Sequence, residues 1–166
     1  MKRLNLLKTI VDIIWYLSIP ALLIFLGFVI YMSWTDQPFT STLYGGMIDL
    51  NGFQLVVGLC LSFITYGLFI YSLYLFRKVL LEFKKLQLFN QVVIGHLLRI
   101  GKLVITAGIL MFITKFLINY WSFKKITVSL TPNDLLIYGG IGAFFLVLSE
   151  VFDRARLLKE ENELTV

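Results

Sequence analysis

Four long apolar runs, separated by short polar connectors, constrain this chain more than any other feature. The runs cover residues 13–34, 53–76, 100–120 and 135–152, and each is about 18–24 residues long. At a rise of 1.5 Å per residue, about 20 residues cross a hydrocarbon core about 30 Å thick. A surface helix of a soluble protein would have one polar face, which these runs lack. The sequence therefore predicts an all-α membrane fold, a bundle of four transmembrane helices.

Composition supports a single integral-membrane domain over residues 1–166. The mean hydropathy is +0.85, 58% of the residues are hydrophobic and only 15% are charged, which is unusual for a soluble domain. No linker divides the chain, so the main polar segments are short loops, a connector at 77–99 and a tail at 153–166. The first run is too long for a signal peptide and lacks a small-residue cleavage site, so we expect a retained helix.

The distribution of lysine and arginine predicts the orientation of the helices. Twelve of the fifteen lie before the first run, between the second and third runs, at the very start of the third run (Lys102) or after the fourth run; the others are Lys115, Lys124 and Lys125. Because cytoplasmic loops carry an excess of these residues, both termini and the connector are predicted to be cytoplasmic. The same charges attract anionic headgroups, so membrane lipids are expected partners and no direct nucleic-acid binding is expected.

Short extended segments in the outer connectors predict a small extracytoplasmic β cap. Residues 39–43 and 47–50 flank Tyr44-Gly45-Gly46, which is a turn signal, and residues 125–130 alternate between polar and apolar. Three such strands would pair above the bundle. Since an isolated hairpin is marginal in water, the alternative of two irregular loops stays open.

The second and third helices are predicted to continue past the bilayer as a hairpin. Val79, Phe83 and Leu86 recur at helical spacing opposite charged residues, as in an amphipathic helix. Asn90 is a favoured N-cap for the third helix, and Phe89 before it is placed to form a hydrophobic staple.

The fourth helix also overshoots, because residues 150–163 continue as a charged helical segment. Three projecting helix ends would either form a docking surface for a partner or merely frame the bundle among the headgroups. The candidate docking residues are Phe89, Asn90, Glu160, Glu161, Glu163 and Leu164.

Ionisable groups at the membrane boundary are the first place to look for function. Glu150, near the inner end of the fourth run, lies level with Arg99 and His96 and one turn from Arg154. We expect a structural ion pair that ties the fourth helix to the connector, rather than a proton relay, because no second buried acid continues a path. Lys115 is expected to extend its ammonium to the outer surface.

Small residues inside the spans predict the faces on which helices pack. Gly101 and Gly108 share one face of the third helix, and Gly139 and Ala143 form a small-xxx-small pair in the fourth. Close packing of this kind drives helix association in membranes.

The sequence contains no catalytic constellation: no Ser/His/Asp set, no paired carboxylates within a span and no phosphate-binding loop. A lone cysteine and a lone histidine do not make a metal site. We therefore expect a non-enzymatic protein without a cofactor. A four-helix core can, however, enclose a small or lipid-like ligand.

Two regions resemble a known family. They are Leu-Phe-Asn at 88–90 with Leu-Arg-Ile-Gly at 98–101, and the ending Ser-Glu-Val-Phe at 149–152 with Glu-Glu-Asn-Glu-Leu-Thr-Val at 160–166. In these the chain is similar to an uncharacterised bacterial four-helix membrane family, domain of unknown function twenty-nine seventy-five. The resemblance implies a bacterial cytoplasmic membrane. Genes of that family often neighbour the gene of a small helix-turn-helix regulator, so the resemblance also implies a DNA-binding protein as partner.

Two functions remain at this point. The first is a regulatory or interaction protein that binds such a regulator through its cytoplasmic helix ends. The alternative is a small-molecule or lipid-binding, transport or immunity protein that acts through the bundle core. The sequence leaves the oligomeric state open.

Overall fold

Four α-helices of 33 residues each dominate a computed structural model that describes residues 2–34, 39–41, 48–50, 52–85, 90–123 and 132–164. The helices are α1 (Lys2–Trp34), α2 (Gly52–Lys84), α3 (Gln91–Phe123) and α4 (Pro132–Leu164). Each contains a segment long and apolar enough to cross a membrane, so the four predicted spans are confirmed. At about 50 Å, every helix is longer than the hydrocarbon core requires.

The helices pack in chain order, α1 on α2, α2 on α3 and α3 on α4, with successive helices antiparallel. We call the end that holds the start of α1, the α2–α3 turn and the end of α4 the basic end. The opposite end, which holds the strands, is the strand end.

A two-stranded antiparallel sheet forms part of the strand end. Strand β1 (Phe39–Ser41) pairs with β2 (Ile48–Leu50), with Thr40 opposite Asp49, and β2 lies against α3. Two of the three predicted cap segments therefore pair. The third, at 125–130, lies outside the described residues.

The main buried cluster joins α2 and α3 near the basic end. Its members are Leu75, Val79, Val93, Leu97, Ile100 and Val104. Val79 is buried and Phe83 packs on the cluster, whereas Lys78 and Lys85 are exposed. The second helix thus continues with an apolar inner face and a charged outer face, as its periodicity predicts.

Asn90 caps the N-terminus of α3. Its side-chain oxygen accepts a hydrogen bond from the Val92 N–H at 3.2 Å, and its carbonyl accepts from Val93 at 2.9 Å and from Ile94 at 3.2 Å. These contacts satisfy N–H groups that a helix start leaves unpaired. The staple residue Phe89 lies outside the described residues.

Glycines set the distance between α3 and α4. A Cβ atom on Gly101 would lie 2.8 Å from the Gly142 carbonyl oxygen, and one on Gly108 would lie 2.7 Å from Tyr138 Cβ. Both values are shorter than real contacts allow, so at these positions only glycine permits the approach.

The predicted packing residues of α4 need correction. A Cβ atom on Gly139 would meet no other atom within 4 Å, and Ala143 is exposed. The helix is rotated so that Gly142 meets α3 instead. At 3.6 residues per turn, position 142 lies about 60° around the helix from position 139 and about 100° from position 143.

A ladder of aromatic pairs, which we call the aromatic ladder, joins α2 to α4. Its rungs are Phe69–Tyr138, Phe76–Phe145 and Phe83–Phe152, with ring centroids 5.0, 5.7 and 5.9 Å apart. The members recur every seven residues on both helices. Because residue numbers rise together along the ladder, α2 and α4 run parallel. Seven residues make about two helical turns, so each step of the ladder returns to nearly the same face of both helices.

The last part of α4 projects beyond its neighbours. Phe152 lies level with Phe83, and α2 ends at Lys84, whereas α4 continues to Leu164. Twelve residues past Phe152 correspond to about 18 Å of helix. We call residues 153–164 the projecting tail.

Candidate functional site

An ionic contact between α1 and α2 lies near the basic end. The Arg77 Nε–H donates to Asp12, and Asp12 also pairs with Lys8 at 3.3 Å. A second nitrogen of Arg77 donates to the Tyr16 hydroxyl at 3.2 Å. Both charged side chains are about four-fifths covered, so the pair is better shielded from water than a surface pair.

Aromatic rings surround this ion pair. The Arg77 guanidinium lies 4.9 Å from the Trp15 ring centroid and 5.0 Å from that of Tyr16, and the Lys78 ammonium lies 4.7 Å from the Tyr74 ring. Cation–π contacts of this kind strengthen as the cation loses water. The arrangement fixes α1 to the rest of the bundle through α2.

A cavity of about 480 Å³ opens between α2, α3 and α4 in the half of the bundle toward the strand end. Its wall is largely apolar, with hydroxyl groups and one ammonium. The lining residues on α2 are Ser62, Thr65, Tyr66 and Phe69, those on α3 are Met111, Thr114, Lys115 and Ile118, and α4 contributes Tyr138. Its volume falls within the range of small-ligand sites, about 300–1,000 Å³.

The register of α4 explains why the cavity forms there. Gly108 faces Tyr138, so the antiparallel register places the first residue of α4, Pro132, level with Thr114. Beyond that level α3 continues to Phe123, about 14 Å further. Among the described residues, α2 and α3 thus have no α4 neighbour toward the strand end. The cavity lies at the level where α4 begins.

Three aliphatic hydroxyl groups of the cavity wall are bonded to the backbone, whereas the wall also carries the hydroxyls of Tyr66 and Tyr138 and the ammonium of Lys115. The hydroxyls of Ser62, Thr65 and Thr114 donate to carbonyls of their own helices at 2.8, 2.9 and 2.8 Å. A hydroxyl that donates in this way keeps lone pairs for a further partner. Thr65 and Thr114 are buried, and Lys115 is half-buried at the cavity wall.

A second, more apolar groove of about 370 Å³ adjoins the first. It is lined by Ile14, Ser18, Tyr66, Phe69, Ile70, Ser72, Leu73, Phe76, Ile100, Val104, Ile141 and Phe145. Tyr66 and Phe69 border both spaces, and the first rung of the aromatic ladder stands between them. The two spaces together run from the strand-end half to the level of Phe76 and Ile100, near the basic end.

Of the three predicted partners of Glu150, the described residues show an ion pair with Arg154 of the same helix and none with the third helix. Glu150 accepts from Arg154 at 2.6 Å, and both side chains are mostly exposed. Neither His96 nor Arg99 pairs with Glu150 in the part of the chain that the structure describes; Arg99 is exposed and His96 is half-buried. The reason is rotational: the neighbour Ser149 is buried, which turns Glu150 outward.

The docking residues predicted for the fourth helix belong to the projecting tail. Glu160 and Glu161 are exposed, and Arg156 bridges Asp153 at 3.1 Å and Glu160 at 3.4 Å. Two leucines, Leu157 and Leu158, are 47% and 60% exposed.

Two further docking residues, Glu163 and Leu164, lie in the last turn of α4, with side chains outside the described part. At the α2–α3 turn, Asn90 serves as the cap already described.

Sequence reasoning missed Asp12 and the role of Arg77. Arg77 counted only toward orientation, and Asp12 lies just before the first run. The sequence did offer a signal: Asp12 lies one residue before the first run, and Arg77 lies one residue after the second. In the described residues, no three His, Cys, Asp or Glu side chains gather closely enough to hold a metal ion.

Fold and site together define a multi-pass membrane protein of four helices with a ligand-sized cavity in its core. The chain belongs to the family described as "Protein of unknown function (DUF2975)", whose match covers residues 16–166. This bears out the resemblance found in the connector and the tail. Comparison with curated proteins and with solved structures gives no match.

Proposed function

We propose that this protein is a non-enzymatic regulatory protein of the bacterial cytoplasmic membrane, with both termini in the cytoplasm, that binds a small helix-turn-helix DNA-binding regulator. The observation that carries the proposal is the projecting tail, a charged helix that continues about 18 Å past the level of Phe83, near the end of α2. The orientation is supported by the lysine and arginine distribution, twelve residues against three.

The chemistry of the tail fits a basic partner. Its tip carries Glu160, Glu161 and Glu163, and one of these, Glu160, shares Arg156 with Asp153 in ion pairs within the helix. Proteins that bind DNA carry a basic surface for the phosphates, and acidic side chains on a rigid helix would compete for that surface. The exposed Leu157 and Leu158 supply apolar contact area beside the acids.

A pull-down from membranes of the native host tests this proposal. The tagged full-length protein is compared with a variant lacking residues 159–166 and with the double variant E160Q/E161Q, and captured proteins are identified by mass spectrometry. We expect a helix-turn-helix protein with the full chain and a loss of at least about tenfold in both variants. The matched control is E150Q, an exposed acid on the same helix before the tail, which should capture as well as the full chain. Equal capture by the truncated variant overturns the proposal.

The cavity favours a second function, the binding of a small or lipid-like ligand by the bundle core. A space of about 480 Å³ with clustered hydroxyls and an ammonium is more than packing of four helices needs. Filling it by S62F should abolish a core-based function and leave capture by the tail unchanged. Tail truncation should have the opposite effect.

A further inference from the structure

We infer that the α2–α3 hairpin at the basic end binds the phosphate of an anionic membrane lipid, held by Lys78 and Arg99 beside His96. The lysine and arginine distribution predicts only a general attraction of such lipids, whereas this inference assigns one place and one set of side chains. It goes beyond the proposed function, because it depends neither on the partner of the projecting tail nor on a ligand in the bundle core.

The first support is the charge balance of the hairpin. Residues 77–102 contain six lysine or arginine residues and one acid, Glu82. That acid is already paired with Lys85, at 2.8 Å. In the part of the chain that the structure describes, Lys78 and Arg99 are exposed and form no ion pair. Two cations are therefore available to an anion from outside the chain.

The second support is that these two cations converge on one imidazole. His96 and Arg99 are three residues apart on α3 and so are neighbours on its surface, whereas Lys78 belongs to α2. His96 is half-buried, and its pKa is lowered by this burial and by the charges of Lys78 and Arg99, while Glu82 acts in the opposite direction. Charges from both helices thus act on the same ring. We call Lys78, His96 and Arg99 the basic cluster.

The third support is the depth of the basic cluster. Lys78 lies two residues after the second apolar run and Arg99 one residue before the third, so both are at the level of the headgroups. The Lys78 ammonium lies 4.7 Å from the ring centroid of Tyr74, which keeps it beside the helix without cancelling its charge. Phosphate is the anion that a bilayer presents at this depth, and both side chains bind phosphate oxygens.

Net charge decides which lipid is favoured. In a choline headgroup, the quaternary ammonium compensates the phosphate and would itself lie among the cations of the basic cluster. Phosphatidylglycerol carries the same phosphate diester and adds no cation, so its negative charge remains available to Lys78 and Arg99. The predicted ligand is therefore a lipid of net negative charge.

A bound phosphate should also change the protonation of His96. A negative charge beside an imidazole raises its pKa, so binding of the lipid takes up a proton. The affinity for the lipid should then rise as the pH falls through the pKa of the complex, and it should not depend on pH well above that value.

Native mass spectrometry of the full-length protein in detergent tests the site, with phosphatidylglycerol and phosphatidylcholine of equal chain length as probes. We expect phosphatidylglycerol to bind at least about tenfold more tightly, and K78Q and R99Q each to weaken it about tenfold, as expected for a lost charge-assisted hydrogen bond. The matched control is K84Q, an exposed lysine of α2 outside the basic cluster, which should bind as the wild type does. Glycerol 1-phosphate, the same headgroup without chains, should not displace the lipid at equal concentration.

Nuclear magnetic resonance gives a second measurement, because His96 is the only histidine of the chain and its ring signals are unambiguous. Without lipid, we expect His96 to titrate below the usual value of 6.5. One equivalent of phosphatidylglycerol should raise this pKa by about half a unit to one unit, which corresponds to an affinity about three- to tenfold higher at low pH. H96Q should lose this pH dependence and keep the affinity measured at neutral pH.

The outcomes that overturn the inference are distinct. An equal loss in K84Q and K78Q would reveal unspecific attraction rather than a site. Equal binding of phosphatidylcholine would overturn the charge selectivity, and displacement by glycerol 1-phosphate would identify a soluble phosphate as the ligand. An unchanged pKa of His96 with lipid bound would mean that the phosphate lies elsewhere. Capture by the tail and binding in the core are measured separately, so either can fail without this inference.

Discussion

Gly101 on α3 and Gly142 on α4 meet so closely that neither can carry a side chain without moving a helix. A Cβ atom on Gly142 would lie 3.0 Å from the Gly101 carbonyl oxygen, and the side chain of Ile105 is closer still. In a membrane, where apolar burial between helices gains little, such close packing holds helices together.

Replacing Gly142 by alanine should therefore loosen the α3–α4 pair. Overpacking of a close contact costs about 1–3 kcal/mol, and we expect a loss of that size in unfolding by sodium dodecyl sulfate. The matched control is Gly139→Ala, where a methyl group meets nothing within 4 Å. Equal stability of the two variants would show that the interface does not depend on Gly142.

The Asp12–Arg77 contact should contribute more to stability than an exposed ion pair. Both side chains are partly covered and the guanidinium lies over two rings, so a double-mutant cycle with D12N and R77Q should give a coupling of about 1.5 kcal/mol. The same cycle on Glu150 and Arg154, an exposed pair one turn apart, should give at most about 0.5 kcal/mol. A coupling for Asp12 and Arg77 no larger than this control contradicts the expectation.

The aromatic ladder should show pairwise energy between α2 and α4. Ring pairs contribute about 0.5–1.5 kcal/mol beyond the area they bury, so the cycle of F76L and F145L should give a coupling in that range. Phe53→Leu is the control, because that ring is on α2 and 78% exposed. Additive losses from the two ladder variants would mean that the rings merely fill space.

Removing the cap of α3 should destabilise the turn at the basic end. We expect Asn90→Ala to cost about 1 kcal/mol, since it deletes the acceptor for the Val92 N–H. Asn90→Ser retains a good capping oxygen and should recover most of the loss. The sensitive measurement is hydrogen exchange of amides 92–94, which should quicken in the alanine variant alone; unchanged exchange would exclude a capping role.

Much of the fold was predictable because it depends on local signals. Run length identifies the four spans, and the spacing of Val79 and Phe83 indicates that α2 continues beyond the bilayer. Asn90 predicts where α3 begins, through a capping interaction that involves only neighbouring residues. Each of these features follows from a few adjacent residues, so one sequence is enough.

The contacts between helices were less predictable, because helices that are apolar all round do not indicate which face meets a neighbour. Small residues occur on two faces of α4, and only packing selects Gly142 over Gly139. The cavity has the same origin: it depends on where α4 begins relative to α3, which the register between distant segments determines. Lys115 could be located in depth from the sequence, but its neighbours could not.

Equal spacing along the aromatic ladder limits how α4 can move. A displacement of α4 along its axis by one to six residues separates all three ring pairs. A shift of seven residues, about 10.5 Å, would form two new pairs between the same rings. Packed helices in known transitions translate by about 1–2 Å, or by one turn of about 5.4 Å. If the proposed functions hold, a ligand in the core would therefore change the tilt or rotation of α4 rather than its axial position, and a partner bound at the tip of α4 would respond to that angle.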